Sequence, residues 1–274
     1  MQTLEPPKAE RAKILITVKT YPLLSSKHAE TVCTAGLREE GKWIRIYPVP
    51  FRMMDKAKQF KKYQWIEADI IKDTRDPRPE SYRLASEIKP LHCLDTQKAW
   101  EERKKLVLSK VFYNLDTLIY EARDTTQSTS LATFKPKRIV SFSIERDTSL
   151  RDRRQKLNAL KKQLCKEQAE RLVQAVPFKF YYTFVDQLGK RSTLQILDWE
   201  IYQLCRKLIR KHGARKNKIA SILREKYLHQ LTKNRDVYLF LGTNKYWHIR
   251  RSSNPFMIVG IFYPPLRIKS KLAI

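Results

Sequence analysis

Residues 198–236 read DWEIYQLCRKLIRKHGARKNKIASILREKYLHQLTKNRD. Two helical periods meet in this stretch, at Gly213. In the first, Ile201, Leu204, Cys205, Leu208 and Ile209 recur at i, i+3, i+4, i+7 and i+8, so they share one face. Arg206, Lys207, Arg210 and Lys211 fall opposite them. In the second, Ile219, Ile222, Leu223 and Tyr227 repeat the spacing, while Arg215, Lys216, Lys218, Arg224 and Lys226 point elsewhere. From Tyr202 through Arg235 there are eleven Lys or Arg and one acid, Glu225. Two amphipathic helices with a nearly unopposed positive exterior either meet a polyanion or bear strong self-repulsion. A merely solvated hairpin is the ordinary reading of surface charge. Here the signs are too unbalanced for it, and the rest of the chain agrees.

The 274 residues include 56 basic and 28 acidic side chains, a formal net charge of +28. A hydrophobic fraction of 42% makes this excess part of a folded protein rather than a disordered tail. Such a field concentrates phosphates by counterion release, with steep dependence on salt. An anionic membrane surface would respond to it as well. No apolar run approaches the length of a membrane helix, and MQTLEPPKAERAK lacks a signal core, so a soluble, intracellular protein without membrane insertion is expected. The four cysteines (Cys33, Cys93, Cys165, Cys205) and five histidines (His28, His92, His212, His229, His248) are dispersed, which argues against a Cys/His metal site.

Working outward, residues 1–12 are expected to be a loose terminus. Lys13–Thr20, Thr31–Leu37, Trp43–Tyr47 and Tyr63–Lys72 read as strands from their β-branched and alternating residues. A short helix is expected over residues 51–60 (FRMMDKAKQF), and an extended surface segment over residues 75–90. Residues 13–94 thus form a small β-rich, barrel-like module. Barrels of this size often bind nucleic acid, the oligonucleotide-binding fold being the familiar case, but fold alone does not establish function. Trp43, Arg45, Tyr47, Tyr63 and Trp65 mix aromatic and basic groups as base-stacking surfaces do, although aromatics of this kind are mostly core.

A helical connector is expected over residues 95–124, with Thr96–Arg123 helical and a break considered near Asn114-Leu115-Asp116, followed by the linker TTQSTS at residues 125–130. Residues 131–274 read as a mixed domain of β-hairpins packed with basic amphipathic helices. Its strands are Lys137–Arg146, Phe178–Val185, Ser192–Leu197, Asp236–Thr243 and Pro255–Tyr263. A basic helix spans Thr148–Gln174, with Arg151, Arg153, Arg154, Lys161 and Lys162 outward. The expected fold class is therefore α+β.

No phosphate loop, dinucleotide fingerprint, HExxH or GxSxG is present, and six glycines leave little for nucleotide loops. No cofactor is expected. Nuclease chemistry would need clustered carboxylates. The candidate pairs are Glu67 and Asp69 near Lys72, and Asp198 and Glu200, each with a simpler reading as an exposed strand face or a helix cap. The loop after the strand ending at Thr243 gathers Lys245, Tyr246, Trp247, His248, Arg250 and Arg251. Basic aromatic loops on rigid scaffolds are recognition elements.

The expected function is non-catalytic binding of DNA or RNA, within a larger nucleoprotein assembly. Phosphates would meet the helix pair, and bases the loop around Trp247 and His248. Three competing readings are a metal-dependent nuclease, a membrane-surface adaptor, and a subunit burying its basic faces against an acidic protein.

Overall fold

The computed structural model describes residues 8–25, 29–172 and 175–266. The protein is α+β, built on two β-barrels in tandem. The first contains β1 (Glu10–Lys19), β2 (Leu23–Ser25), β3 (Ala29–Arg38), β4 (Trp43–Val49), β5 (Gln64–Lys72), β6 (Ser81–Leu84) and β7 (Lys89–Cys93). Its ring runs β1-β3-β4-β6-β5 and closes by pairing β5 with β1, while β2 and β7 extend it at the side. Only β4 and β6 are parallel. Alternating side chains fill the interior, among them Ile14, Ile16, Ile44, Ile46, Ile66 and Ile70. At Gly36, strand β3 crosses β1 so closely that a Cβ would lie 2.2 Å from the Leu15 carbonyl oxygen.

The second sheet runs β10 (Arg138–Arg146), β11 (Phe178–Val185), β12 (Arg191–Ile196), β14 (Phe256–Phe262), β13 (Tyr238–Thr243), β9 (Leu131–Phe134) and β8 (Val111–Phe112). Strands β9 and β10 are separated only by Lys135-Pro136-Lys137, where proline removes a ladder donor and the chain turns. Taken as one bent strand, this pair binds β13 at one end and β11 at the other, and the sheet closes on itself. Both units then share one connectivity: the first strand lies between the second and fourth, and the third runs parallel to the fifth. That is the Greek-key order of the oligonucleotide-binding barrel.

Between third and fourth strands the first barrel has only a 3₁₀ turn, Lys56–Lys58, where a helix over residues 51–60 was expected. The second has α5 (Trp199–His212), α6 (Lys216–Arg224), a π-helical turn (Glu225–Gln230) and α7 (Leu231–Asn234). The helical stretch read over Thr96–Arg123, with a break considered near Asn114-Leu115-Asp116, is two helices, α1 (Gln97–Val107) and α2 (Leu115–Arg123), with β8 between them. Asn114 caps α2 by accepting from Thr117 N at 2.9 Å. Leu115, Leu118, Ile119 and Ala122 join the core of the second barrel, so α2 belongs to that barrel rather than to a connector. The long helix expected over Thr148–Gln174 breaks into α3 (Leu150–Gln163) and α4 (Lys166–Arg171). Val173 and Gln174, the first seven residues and the basic tail RIKSKLAI lie outside the described residues.

The barrels are joined by a second dry core. Leu15, Val18, Ala35, Leu37 and Trp65 of the first meet Leu131, Phe240, Val259 and Phe262 of the second. Trp43 meets Phe240 edge-on at 5.3 Å, and Trp100 of α1 covers the seam against Tyr63 and Phe262. Polar bridges complete it. Arg45 donates to Ser130 Oγ at 2.8 Å, and Arg78, bound to Asp76, donates to the Thr243 carbonyl at 2.6 Å. The extended segment at residues 75–90 is therefore wedged between barrels at Asp76 and Arg78, and contains β6.

Candidate functional site

The helix hairpin forms as its periodicity dictates. Asp198 caps α5, its side chain accepting from Glu200 N at 2.8 Å. Ile201, Tyr202, Cys205 and Leu208 are buried against the second barrel, as are Ile219 and Leu223 of α6. Gly213 joins the helices at φ 67° and ψ −178°, a conformation open to glycine and strained for other residues. Lys207, Arg210, Lys211, Arg215, Lys218, Arg224 and Lys226 are exposed, while Arg206 and Lys216 are half-buried. Among the described residues, no Lys or Arg between 199 and 235 takes part in an ion pair. Elsewhere basic groups do find acids: Arg11 bridges Glu67 and Asp69, and Arg153 reaches Asp147 at 2.8 Å. The hairpin thus presents uncompensated positive charge on a rigid support. A groove of about 380 Å³ runs between α6 and β10, bordered by Lys216, Arg224 and Ser143.

The stretch from Asn244 is a short helix, α8 (Lys245–Ile249), not a loop. Asn244 caps it, accepting from Tyr246 N at 2.9 Å. Tyr246 and Trp247 are half exposed and meet edge-on at 4.7 Å, with the Arg250 guanidinium 3.6 Å over the Tyr246 ring. Lys245 donates to the Arg75 carbonyl of the first barrel, and Arg250 and Arg251 face solvent. His248 corrects the expectation. It points inward, is 5% exposed, and sits 2.9 Å from Ser128 Oγ. Burial, then the charge of Arg78, pushes its imidazole below the ordinary value. From there it anchors α8 through Ser128.

The aromatic and basic set of the first barrel is also largely withdrawn. Arg45, Tyr63 and Trp65 are buried and Trp43 is half-buried under the second barrel, whereas Tyr47 is exposed. The β3–β4 face, which carries ligand in oligonucleotide-binding barrels, is therefore covered here. On the corresponding β11–β12 face of the second barrel, half-buried Tyr181 lies between Ser143 and Gln195, and Arg191 and Thr193 are exposed.

Both carboxylate pairs are engaged. Glu67 and Asp69 are held by Arg11. Asp198 and Glu200 are held by Lys62, whose Nζ lies 2.7 Å from Asp198 Oδ2 and 3.0 Å from Glu200 Oε2. Burial works against the charge on Lys62, but the two carboxylates outweigh it and hold the ammonium above its ordinary range. Asp198 Oδ2 also accepts from Ile261 N of its own barrel, and Lys62 ties the two barrels together through this cluster. Sequence reading missed Lys62, because no local pattern announces a partner 136 residues away. Among the described residues, no group of three or more His, Cys, Asp or Glu comes together to hold a metal ion. Nor is any described helix long and apolar enough to cross a membrane.

Fold and surface define a tandem-barrel protein with a basic helical hairpin. Residues 112–273 match the family described as Domain of unknown function (DUF8757), more than half of the chain, and the chain belongs to that family. Residues 10–109 match Domain of unknown function (DUF8758), so the two family models divide the chain where α1 gives way to β8. No curated protein matches the chain. Among solved structures, the tetrameric p202 HIN2 is similar at 9% identity, over 71% of this chain and 76% of that one, with TM-score 0.28. A murine DNA binding protein bound with double-stranded DNA is similar at 8% identity, over 96% of this chain and all of that one, with TM-score 0.31. Superpositions this weak carry no argument about function.

Proposed function

We propose that the chain binds nucleic acid, without chemistry of its own, through the hairpin α5–α6. The observation that carries this reading is the run of exposed Lys and Arg on the hairpin, none of them ion-paired among the described residues. Uncompensated cations fixed on a folded surface gain by displacing counterions from a polyphosphate. Arg206, Lys207, Arg210, Lys211, Arg215, Lys216, Lys218, Arg224 and Lys226 contact phosphates. Tyr246 and Trp247, with Lys245, Arg250 and Arg251, supply the stacking element. Exposed Arg151, Lys161 and Lys162 on α3, and Lys98 and Lys105 on α1, support a place within a larger nucleoprotein assembly, where several faces meet polymer.

Labelled single- and double-stranded DNA and RNA, titrated at low salt, test this and name the polymer. Changing Arg206, Lys207, Arg210 and Lys211 together to Ala is expected to weaken binding at least tenfold, since each neutralised phosphate contributes through counterion release. Equal binding by the variant removes the hairpin from the interface. Mg²⁺-dependent cutting of the probes would instead favour a nuclease. Absence of binding to any probe, with capture of an acidic protein, would favour the protein-partner reading.

A further inference from the structure

We infer that a notch between α3 and α5 receives the terminal phosphomonoester of a nucleic-acid strand, an inference that rests on the nucleic-acid reading above. The notch has a volume of about 160 Å³. Arg154 of α3 and Arg206 and Arg210 of α5 line it, with Val176, Pro177 and Ile209 among its apolar walls. Arginines from two separate elements therefore border one small space. No carboxylate lines it, and among the described residues none of the three arginines has an ion-pair partner. Arg206 has only a hydrogen bond to Gln203 Oε1, at 3.5 Å. The neighbouring Arg153 shows that an acid lies within reach of this part of α3, for it is held by Asp147. The charge is also felt beyond the notch. Arg52 is lowered first by burial and, against the pull of Glu30, further by Arg206.

Size and charge select the ligand. A notch of about 160 Å³ is large enough for a phosphate group. An internal phosphodiester carries one charge and must continue in two directions. A terminal monoester approaches two charges at pH 7, presents three acceptor oxygens, and needs only one exit. Three bordering arginines without an acid partner favour the more highly charged monoester.

The test uses the full chain and a single-stranded oligonucleotide with an internal label, carrying a 5′-phosphate, a 3′-phosphate or neither. One phosphorylated form is expected to bind about tenfold more tightly than the unphosphorylated one, as expected for charge-assisted bonds. Arg154→Gln, an exposed change outside the hairpin, is expected to bring that ratio towards one. The ratio also shrinks below about pH 6, where the dianionic monoester takes up one proton and falls to a single charge. Equal affinity for all three probes in the unmodified protein overturns the inference while leaving nucleic-acid binding intact, as does a ratio unaffected by Arg154→Gln. If no probe binds at low salt, the broader reading fails and this inference falls with it.

Discussion

At the residue scale, Lys62 and Asp198 decide how firmly the barrels are joined. A buried charge stripped of its partner is costly even where the intact pair adds little. Lys62→Met is therefore expected to lower the unfolding free energy by ~3–5 kcal/mol. Adding Asp198→Leu should recover part of that loss, despite removal of a helix cap. Urea denaturation of the single and double variants measures both, and a double variant worse than the sum of the singles would contradict the pairing. His248 gives a pH prediction. Its folded-state pKa is lowered, by burial first and then by Arg78, from an ordinary 6.5. Below that value the unfolded chain binds a proton that the folded chain resists, so stability falls as pH drops through 6.5. Relative to His248→Gln, the unmodified protein should lose stability between pH 7 and pH 5. A constant difference across that range would show that the buried imidazole titrates normally.

At the scale of elements, what could be read in the sequence was what repeats locally. The hairpin α5–α6 was legible because its apolar residues keep a helical period on both sides of Gly213. Strands β1, β3, β4 and β5 were legible because Val, Ile and aromatic residues mark them. Short strands such as β6, β8 and β9 were not, because their pairing is set by distant neighbours rather than by their own four or fewer residues. The burial of Arg45 was not legible for a related reason: the second barrel that covers it, at Ser130, is distant in sequence. Gly213→Ala should cost about 1–3 kcal/mol through backbone strain alone. No atom lies within 4 Å of where the new Cβ would stand. Trp247→Ala should change stability by less than about 0.5 kcal/mol, as surface changes do. If Trp247 stacks on a base, the same change should weaken binding by about 1–3 kcal/mol. Loss of stability without loss of affinity would make Trp247 a core residue instead.

At the scale of the whole molecule, two barrels of like connectivity share a dry seam, and this seam determines which faces are free. Phe240 is fully buried between Trp43 and Phe262. Phe240→Ala should cost about 3–5 kcal/mol, the usual penalty for emptying such a site. Calorimetry should show a single transition for the unmodified chain, and two separated transitions would mean that the barrels unfold independently. The seam covers the β3–β4 face and leaves the basic hairpin and α8 exposed. The most direct test is the dependence of affinity on salt for the unmodified chain and for the variant with Arg206, Lys207, Arg210 and Lys211 changed to Ala. A plot of log affinity against log salt should be steep for the first. For the variant it should be shallower by roughly 0.7–0.9 for each phosphate that the hairpin no longer neutralises. Identical slopes would contradict the claim that this hairpin holds the phosphates.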